Sequence, residues 1–260
     1  MLGAQLLMAT NSQSVVSDPD ANAYILAVEA ADGQILETAV RTAINNFVVG
    51  CKADGIWTAI KASCILAGAR TLAGALVPLV GTAPTNNNFV TADYNRKTGL
   101  IGNASTKYLD SKRSYTDDPQ DDFHLSVYIS SIASSGFYIG GQGSSSACNN
   151  DIYRSTGTNI RIRGDANVFS SSVAGFTGGS RNNATNFIRR IGSASSTNTV
   201  TSNGLTNSQN VFVFARNLNG TINLPGDGRQ AFYSIGRSLD LALMDTRVTT
   251  LINAIAAAIP

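Results

Sequence analysis

Few side chains in this sequence have the chemistry that hydrolysis needs, and they lie far apart. His124 is the only histidine of the 260 residues, so any Ser–His or Cys–His pair would have to use it. Ser234 precedes an Ile-Gly pair, close to the point where a predicted strand leads directly into a predicted helix. It lacks the G-x-S-x-G pattern of a nucleophile elbow, and no histidine is predicted beside it. We therefore predict no catalytic residues, and a structural or surface role for His124.

The carboxylates argue against an enzyme in the same way. Polysaccharide-cleaving enzymes typically use two carboxylates about 5 to 10 Å apart. The only glutamates are Glu29 and Glu37, and both lie in segments predicted to be helical. No predicted strand carries alternating carboxylates. A polysaccharide depolymerase is kept as an alternative to the non-enzymatic interpretation.

One acidic run has the residue types of a metal site. The sequence D-D-P-Q-D-D at residues 117–122 places four carboxylates around a proline turn, and Ca²⁺ takes about six to eight oxygen ligands. The alternative is a solvated loop, because the spacing matches no known calcium loop. No other cofactor is expected. The candidate ligands are Asp117, Asp118, Asp121 and Asp122.

Two further patterns bear on ligand binding. The glycine-rich residues 136–143 lack the following helix of a phosphate-binding loop, so a strand and a hairpin turn are favoured. Tyrosine rings are typical stacking surfaces for sugars, but they are equally common in the core and edges of a sandwich. The tyrosines open to either interpretation are Tyr94, Tyr108, Tyr115, Tyr128, Tyr138 and Tyr153.

Composition argues against a nucleic-acid-binding protein, a disulfide-bonded or zinc-binding protein, and a membrane-inserted protein. Charged residues make up 14% of the chain and the net charge is +2, so no basic surface for nucleic acid is predicted. Cys51, Cys64 and Cys148 have no disulfide or zinc spacing, which favours buried or half-buried free thiols. No stretch has the length of a membrane-spanning helix, so we expect no membrane insertion.

The first part of the chain has helical patterns. Asp18 can cap a helix that starts at Pro19 and ends near Gly33. A second helix carries an apolar stripe from Ile35 to Val48, and a third, shorter segment begins at Trp57. A proline- and glycine-rich linker follows.

From Phe89 onward, short alternating runs are separated by polar loops. Residues 123–129 alternate apolar and polar side chains, as in a half-buried strand. The spacing of these runs is typical of a sandwich or jelly roll. The remaining strands are predicted at residues 108–109, 137–139, 160–162, 186–191, 211–215 and 231–235.

The chain ends in a predicted helix. After the strand at residues 231–235, Gly236 forms a corner and Ser238 caps a helix whose apolar stripe includes Leu243 and Val248. The fold class is therefore α+β, mainly a β jelly-roll sandwich with a helical region before it and a closing helix after it.

Three blocks of sequence resemble a family of tailed-bacteriophage structural proteins. They are T-A-I-N-N-F-V-V-G-C-K-A-D-G-I-W (residues 42–57), G-N-A-S-T-K-Y-L (residues 102–109) and A-F-Y-S-I-G-R-S-L-D (residues 231–240), in that order. In that family a helical region precedes a concanavalin A-like, or laminin G-like, sandwich, and a last strand leads into a terminal helix. The aromatic-proline segment that commonly follows the tryptophan is replaced here. The family supplies no catalytic motif and no ligand residues.

The resemblance implies an organisation and a setting. We expect a helical assembly region at residues 1–80, a linker at 81–90, the sandwich at 91–236 and the closing helix at 237–260. The chain would be made in the host bacterial cytoplasm and reside in the virion, as a tail-fibre, tail-tip or baseplate component that recognises host surface polysaccharide. Its partners would be other virion proteins and further copies of itself, as a trimer by analogy with phage fibres. A capsid decoration (cement) protein is the alternative.

Overall fold

The structure, a computed structural model, describes residues 17–142, 148–165, 168–170, 172–204 and 208–260, the third range by its backbone alone. Its helices are α1 (Pro19–Asp32), α2 (Thr38–Ala53), α3 (Leu72–Ala75) and α4 (Leu241–Ala258). Its strands are β1 (Ile60–Ile65), β2 (Thr85–Asn87), β3 (Tyr94–Asn95), β4 (Gly99–Ile101), β5 (Tyr108–Ser114), β6 (Phe123–Ser131), β7 (Gly136–Gln142), β8 (Asn149–Arg154), β9 (Thr158–Gly164), β10 (Val168–Ser170), β11 (Gly175–Arg181), β12 (Asn186–Ile191), β13 (Ala194–Thr199), β14 (Asn210–Val213), β15 (Arg216–Leu218), β16 (Thr221–Asn223) and β17 (Arg229–Gly236).

The strands form two sheets. The first has the order β13-β12-β11-β6-β17-β4-β3, with β1 also paired to β17. The second has the order β10-β9-β8-β7-β14-β5-β2, and the β15–β16 hairpin joins it through β7. All neighbouring pairs are antiparallel except β15 with β7. The predicted α+β class, a jelly-roll-like sandwich with a terminal helix, is confirmed.

Two hydrophobic clusters give the molecule three layers. One lies between the sheets and contains Leu125 and Val127 of β6. The other lies between the first sheet and helices α1, α2 and α4, where Phe47 meets Phe232 edge to face with ring centroids 5.8 Å apart. Because helices cover its outer face, the central strands β6 and β17 of the first sheet are buried on both sides. Strand β6 is therefore not half-buried as predicted, since His124 also has no exposed surface.

The first helix forms as its sequence indicates. The Asp18 carboxylate accepts hydrogen bonds from the N–H groups of Asp20 and Ala21, which satisfies two donors at the helix start. Pro19 occupies the first helical position, where its missing N–H removes no hydrogen bond. Gly33 ends the helix in the left-handed conformation with φ of 64°.

The predicted third helical segment is wrong. After a 3₁₀ turn at Trp57–Ala59, the chain enters strand β1, which pairs with β17. Cys64 thus lies in a strand, not a helix. The predicted boundaries change as a result: the region at residues 1–80 contributes a strand to the first sheet, and the linker at 81–90 contains β2. Residues 60–65 form a strand because they pair with β17, which is distant in the sequence. The local composition gives no signal of that pairing.

The entrance to the last helix also differs from the prediction. Asp240, not Ser238, is the N-cap, because its carboxylate accepts from the N–H groups of Ala242 and Leu243. Ser238 instead donates its N–H and hydroxyl to Asp122 Oδ1, both at 2.7 Å. Gly236 is the last residue of β17, and a Cβ there would lie 2.1 Å from the Ala59 carbonyl oxygen.

The prediction that no stretch has the length of a membrane-spanning helix is wrong for helix α4. Its 18 residues have a mean hydropathy of 1.2, so length and composition alone would allow it to cross a membrane. Its apolar side, including Val248, Leu251 and Ile255, instead packs in the helical layer. The free thiols predicted to be buried are buried at all three positions, Cys51, Cys64 and Cys148.

Candidate functional site

The structure joins the two residues that the sequence analysis kept apart. His124 Nε2 lies 2.7 Å from Ser234 Oγ, and His124 Nδ1 lies 2.5 Å from the Arg237 carbonyl oxygen. A carbonyl can only accept, so Nδ1 carries the proton and Nε2 accepts the Ser234 hydroxyl proton when the ring is neutral. The prediction that Ser234 has no partner histidine is therefore wrong. Residues 110 apart in sequence meet because β6 and β17 are neighbours.

This pair has the contacts of a nucleophile and a base, but it has no access to solvent. His124 and Ser234 are both 0% exposed. Burial lowers the pKa of His124 to about 4, so the imidazole is neutral near pH 7. A carbonyl takes the orienting place that a carboxylate has in a catalytic triad, so an imidazolium would gain no opposite charge from it. The geometry supports a structural hydrogen-bond chain beneath the entrance to α4.

The first half of the acidic run binds protein groups. Asp118 is buried and accepts two hydrogen bonds from the Arg113 guanidinium, at 3.0 and 2.7 Å. Asp117 accepts the N–H of Ser114 at 2.8 Å and lies 3.7 Å from the same arginine. These contacts hold the loop onto β5.

The second half of the acidic run, Asp121 and Asp122, does not contact β5 in the same way. Asp122 holds the backbone and hydroxyl of Ser238 and lies 3.5 Å from Arg237. Asp121 has one buried oxygen, Oδ1, that accepts no hydrogen bond from the described residues. Across the described parts of the chain, no three acidic, histidine or cysteine side chains are grouped to hold a metal ion. The calcium prediction gains no support from this geometry.

The candidate tyrosines are divided among several environments. Tyr138 lies between the sheets. The hydroxyl of Tyr115 donates to the Cys148 carbonyl at 2.5 Å, and that of Tyr94 donates to the Ala69 carbonyl at 2.7 Å. The remaining three are half-buried: Tyr108, Tyr128 and Tyr153.

Tyr153 belongs to the best-formed cluster of polar and aromatic groups on the second sheet. Its ring lies 5.0 Å from that of Phe137, centroid to centroid. The Arg161 guanidinium lies over Tyr153 at 5.1 Å, and that of Arg216 lies over Phe137 at 4.6 Å. Together with Asp151 these residues are called the arginine–aromatic face. Neither ring belongs to a hydrophobic cluster, which places the face on the side of the sheet away from the core.

A buried carboxylate anchors this face. Asp151 has no exposed surface and accepts from Arg161 Nε at 2.8 Å and Nη2 at 2.6 Å, a bidentate pair. Arg216 lies 4.0 Å from the same carboxylate and donates from Nη2 to Asn223 Oδ1 at 2.6 Å. Burial raises the pKa of the Asp151 carboxyl, although both guanidinium groups oppose that shift. Both arginine side chains are held in fixed orientations.

Gly140 leaves space for the Asp151 side chain. Gly140 of β7 pairs with Asp151 of β8 and with Arg216 of β15. A Cβ at Gly140 would lie 2.7 Å from the Asp151 Cβ, closer than side chains approach. The glycine-rich run predicted to be a strand is β7, and the predicted turn after it lies outside the described residues.

The sequence analysis missed the arginine–aromatic face, although part of its signal is visible. In β8, Asp151 and Tyr153 alternate with the core residue Ile152, and in β9 Arg161 lies between the core residues Ile160 and Ile162. This alternation places the three polar or aromatic residues on one outer face. Arg216 carries no such signal because its strand has only three residues.

Comparisons with known proteins assign this chain to no family. No protein-family model matches the sequence, and no curated protein matches it. Among solved structures, the binding domain of botulinum neurotoxin serotype D aligns with 8% identity and a TM-score of 0.47, over 74% of this chain and 51% of that chain. The NanB sialidase of Streptococcus pneumoniae aligns with 12% identity and a TM-score of 0.38, over 51% of this chain and 24% of that one. A leech intramolecular trans-sialidase aligns with 14% identity and a TM-score of 0.37, over 66% and 27%. The chain thus spans about a quarter of the sialidases and about half of the toxin domain.

Proposed function

We propose that this chain is a non-enzymatic, glycan-binding module and a structural component of a tailed-phage virion, in a tail fibre, tail tip or baseplate. The arginine–aromatic face is the observation that carries the binding proposal. Its two rings and two guanidinium groups are fixed in place by hydrogen bonds and ring contacts before any ligand arrives. Such preorganisation lowers the entropic cost of binding.

The chemistry of the face matches a sugar. The half-buried ring of Tyr153 offers an apolar surface to the C–H groups of a pyranose, and the arginine N–H groups are donors for its hydroxyl or carboxylate oxygens. The side chains of Arg161 and Arg216 are 11% and 13% exposed. Their edges therefore reach solvent while their charged centres are held against the sheet.

A role without catalysis is supported by where the carboxylates lie. Asp151 is fully buried beneath Arg161 and cannot contact a sugar. Glu29 pairs with Arg41 at 2.6 Å and Glu37 with Arg96 at 2.8 Å, both beside the helical layer. A depolymerase would need a pair of carboxylates aimed at its substrate.

The virion setting is proposed from the resemblance in three sequence blocks. Two of these blocks form α2 and β17, and they touch each other through Phe47 and Phe232. The resemblance therefore lies in the framework that joins helices to sandwich, whereas the arginine–aromatic face lies outside it. A capsid decoration protein could use the same framework. Cryo-electron microscopy of virions distinguishes the two roles, because it shows whether the protein lies on the tail or on the capsid.

A bacterial glycan array tests the binding proposal. The wild-type chain should bind at least one surface polysaccharide, and Tyr153→Ala and Arg216→Ala should each weaken that binding about tenfold, through loss of a ring or guanidinium contact. Arg189→Ala, which removes an arginine of β12 in the other sheet that donates to Ser196, is the matched control and should bind normally. Absence of any bound glycan, or equal binding by all variants, would refute the proposal. Release of reducing sugar from a bound polysaccharide would establish the depolymerase instead.

A further inference from the structure

A concave site lies on the first sheet, beside the last helix. The cleft has a volume of about 500 Å³ and lies between α4 and the strands β6, β11 and β12. Its size falls within the range of small-molecule sites, about 300–1,000 Å³. We call it the α4 cleft and define it by Tyr128, Arg190, Ser193, Asp245, Thr246 and Thr249.

One wall of the α4 cleft is an ordered polar network. Arg190 Nε donates to Asp245 Oδ2 at 2.6 Å, and its Nη1 donates to Ser195 Oγ at 2.9 Å. Thr249 Oγ1 donates to Asp245 Oδ1 at 2.9 Å. The arginine and aspartate side chains are only 13% and 12% exposed. Their positions are therefore set by the protein and do not depend on a ligand.

The other wall of the α4 cleft is formed by the ring and the hydroxyl group of Tyr128. Tyr128 pairs across the sheet with Phe176 and Phe232, which flank it on the two neighbouring strands. Its hydroxyl forms no hydrogen bond with the described residues. Burial, with a smaller effect from Asp245, raises the pKa of Tyr128. The phenol therefore stays protonated at neutral pH and can both donate and accept.

The charge of the α4 cleft restricts the class of ligand. Arg190 and Asp245 neutralise each other at 2.6 Å, so a charged ligand would find no uncompensated partner in this pair. Hydroxyl groups of Ser193, Thr246 and Thr250 line the same space. A ring surface surrounded by hydroxyls and a neutral ion pair is complementary to a polyhydroxylated ring without charge.

We propose that the α4 cleft binds a neutral pyranose unit, independently of the arginine–aromatic face. The two sites lie on different sheets, with the inter-sheet cluster between them. A chain with both sites could hold two sugar units of a long polysaccharide at once, which raises overall avidity without new contacts.

Ligand-observed NMR on the full chain tests this inference, using methyl glucopyranoside, methyl galactopyranoside and N-acetylglucosamine, with glucuronate as the charged comparison. Thr246 is exposed, and its hydroxyl donates to the Ala242 carbonyl of its own helix. Thr246→Trp therefore fills the cleft without disturbing the core. Ala30 is exposed on α1 and does not line the cleft, so Ala30→Trp is the matched control.

The inference predicts that at least one neutral pyranose binds the wild-type chain. Thr246→Trp and Tyr128→Ala should each weaken that binding tenfold or more, while Ala30→Trp leaves it unchanged. Circular dichroism of each variant confirms that it is folded. Binding of no neutral sugar, preference for glucuronate, or full binding by Thr246→Trp would overturn the inference. Loss of binding in Tyr153→Ala alone would assign the sugar to the arginine–aromatic face and also overturn it.

Discussion

At the scale of single residues, burial decides what a reactive side chain can do. His124 and Ser234 are in hydrogen-bond contact, yet neither has exposed surface. The same low dielectric that isolates the pair makes a charged imidazole costly there. Its role is therefore to join β6, β17 and the Arg237 carbonyl in the neutral state.

The first prediction concerns acid stability. The pKa of His124 is about 4 in the folded protein, against about 6.5 in an unfolded chain. Below pH 6.5 the unfolded state binds a proton that the folded state does not, so stability falls as the pH drops toward 4. The free energy of unfolding should decrease by about 2 kcal/mol between pH 7 and pH 5.

Urea unfolding at the two pH values measures this effect. Because the chain has one histidine, the His124→Gln variant serves as the comparison and should lose much less stability over the same interval. Equal pH dependence in both proteins would show that His124 is not the titrating group.

At the scale of elements, strand β17 is the centre of the architecture. It pairs with β1, β4 and β6 in the first sheet, and Phe232 on it packs against α2. Its last residue, Gly236, lies opposite Ile60 and His124 in the two neighbouring strands. The Ala59 carbonyl fills the position of a side chain at Gly236.

The second prediction follows from that close approach. Gly236→Ala would place Cβ 2.1 Å from a backbone oxygen, so β1 or β17 must move, at a cost of about 1–3 kcal/mol. The matched control is Gly204→Ala, where the nearest atom to a new Cβ is Gln120 Oε1 at 3.9 Å. Urea midpoints should fall for the first variant and not for the second. An unchanged midpoint for Gly236→Ala would contradict the tight β1–β17 contact.

The elements also show which parts of the fold the sequence predicts. Strand β6 and helix α4 have strong periodicity, and both form where the pattern indicates. The sequence around strand β1 predicts a helical segment, because the strand forms only through pairing with residues about 170 positions later, such as Cys64 with Tyr233. The arginine–aromatic face is not predicted for the same reason: Asp151, Arg161 and Arg216 meet only when the four strands β9, β8, β7 and β15 are in register.

At the scale of the whole molecule, the proposed assembly surface and the arginine–aromatic face lie on different layers. The helical layer covers one sheet, and the other sheet presents the arginine–aromatic face. The surface between α2 and α4 carries small, uncharged side chains around a groove of about 640 Å³, including Ala39, Thr42 and Ala257. Such side chains allow close approach of another copy, in keeping with the proposed homo-oligomer.

The third prediction is the mass of the particle in solution. Light scattering on the full chain should give three times the chain mass. The exposed residue Ala257 lines the groove, so Ala257→Glu should shift the mass toward the monomer by adding a buried charge. Asn253→Glu, exposed on the same helix but not part of the groove, is the control. A monomeric wild-type chain would refute the proposed trimer.

The most direct test of the central claim is a crystal structure of the chain with a polysaccharide fragment found on the glycan array. We expect a sugar ring stacked on Tyr153, with its oxygens within hydrogen-bond distance of Arg161 or Arg216. A fragment bound elsewhere, with the arginine–aromatic face empty, would contradict it.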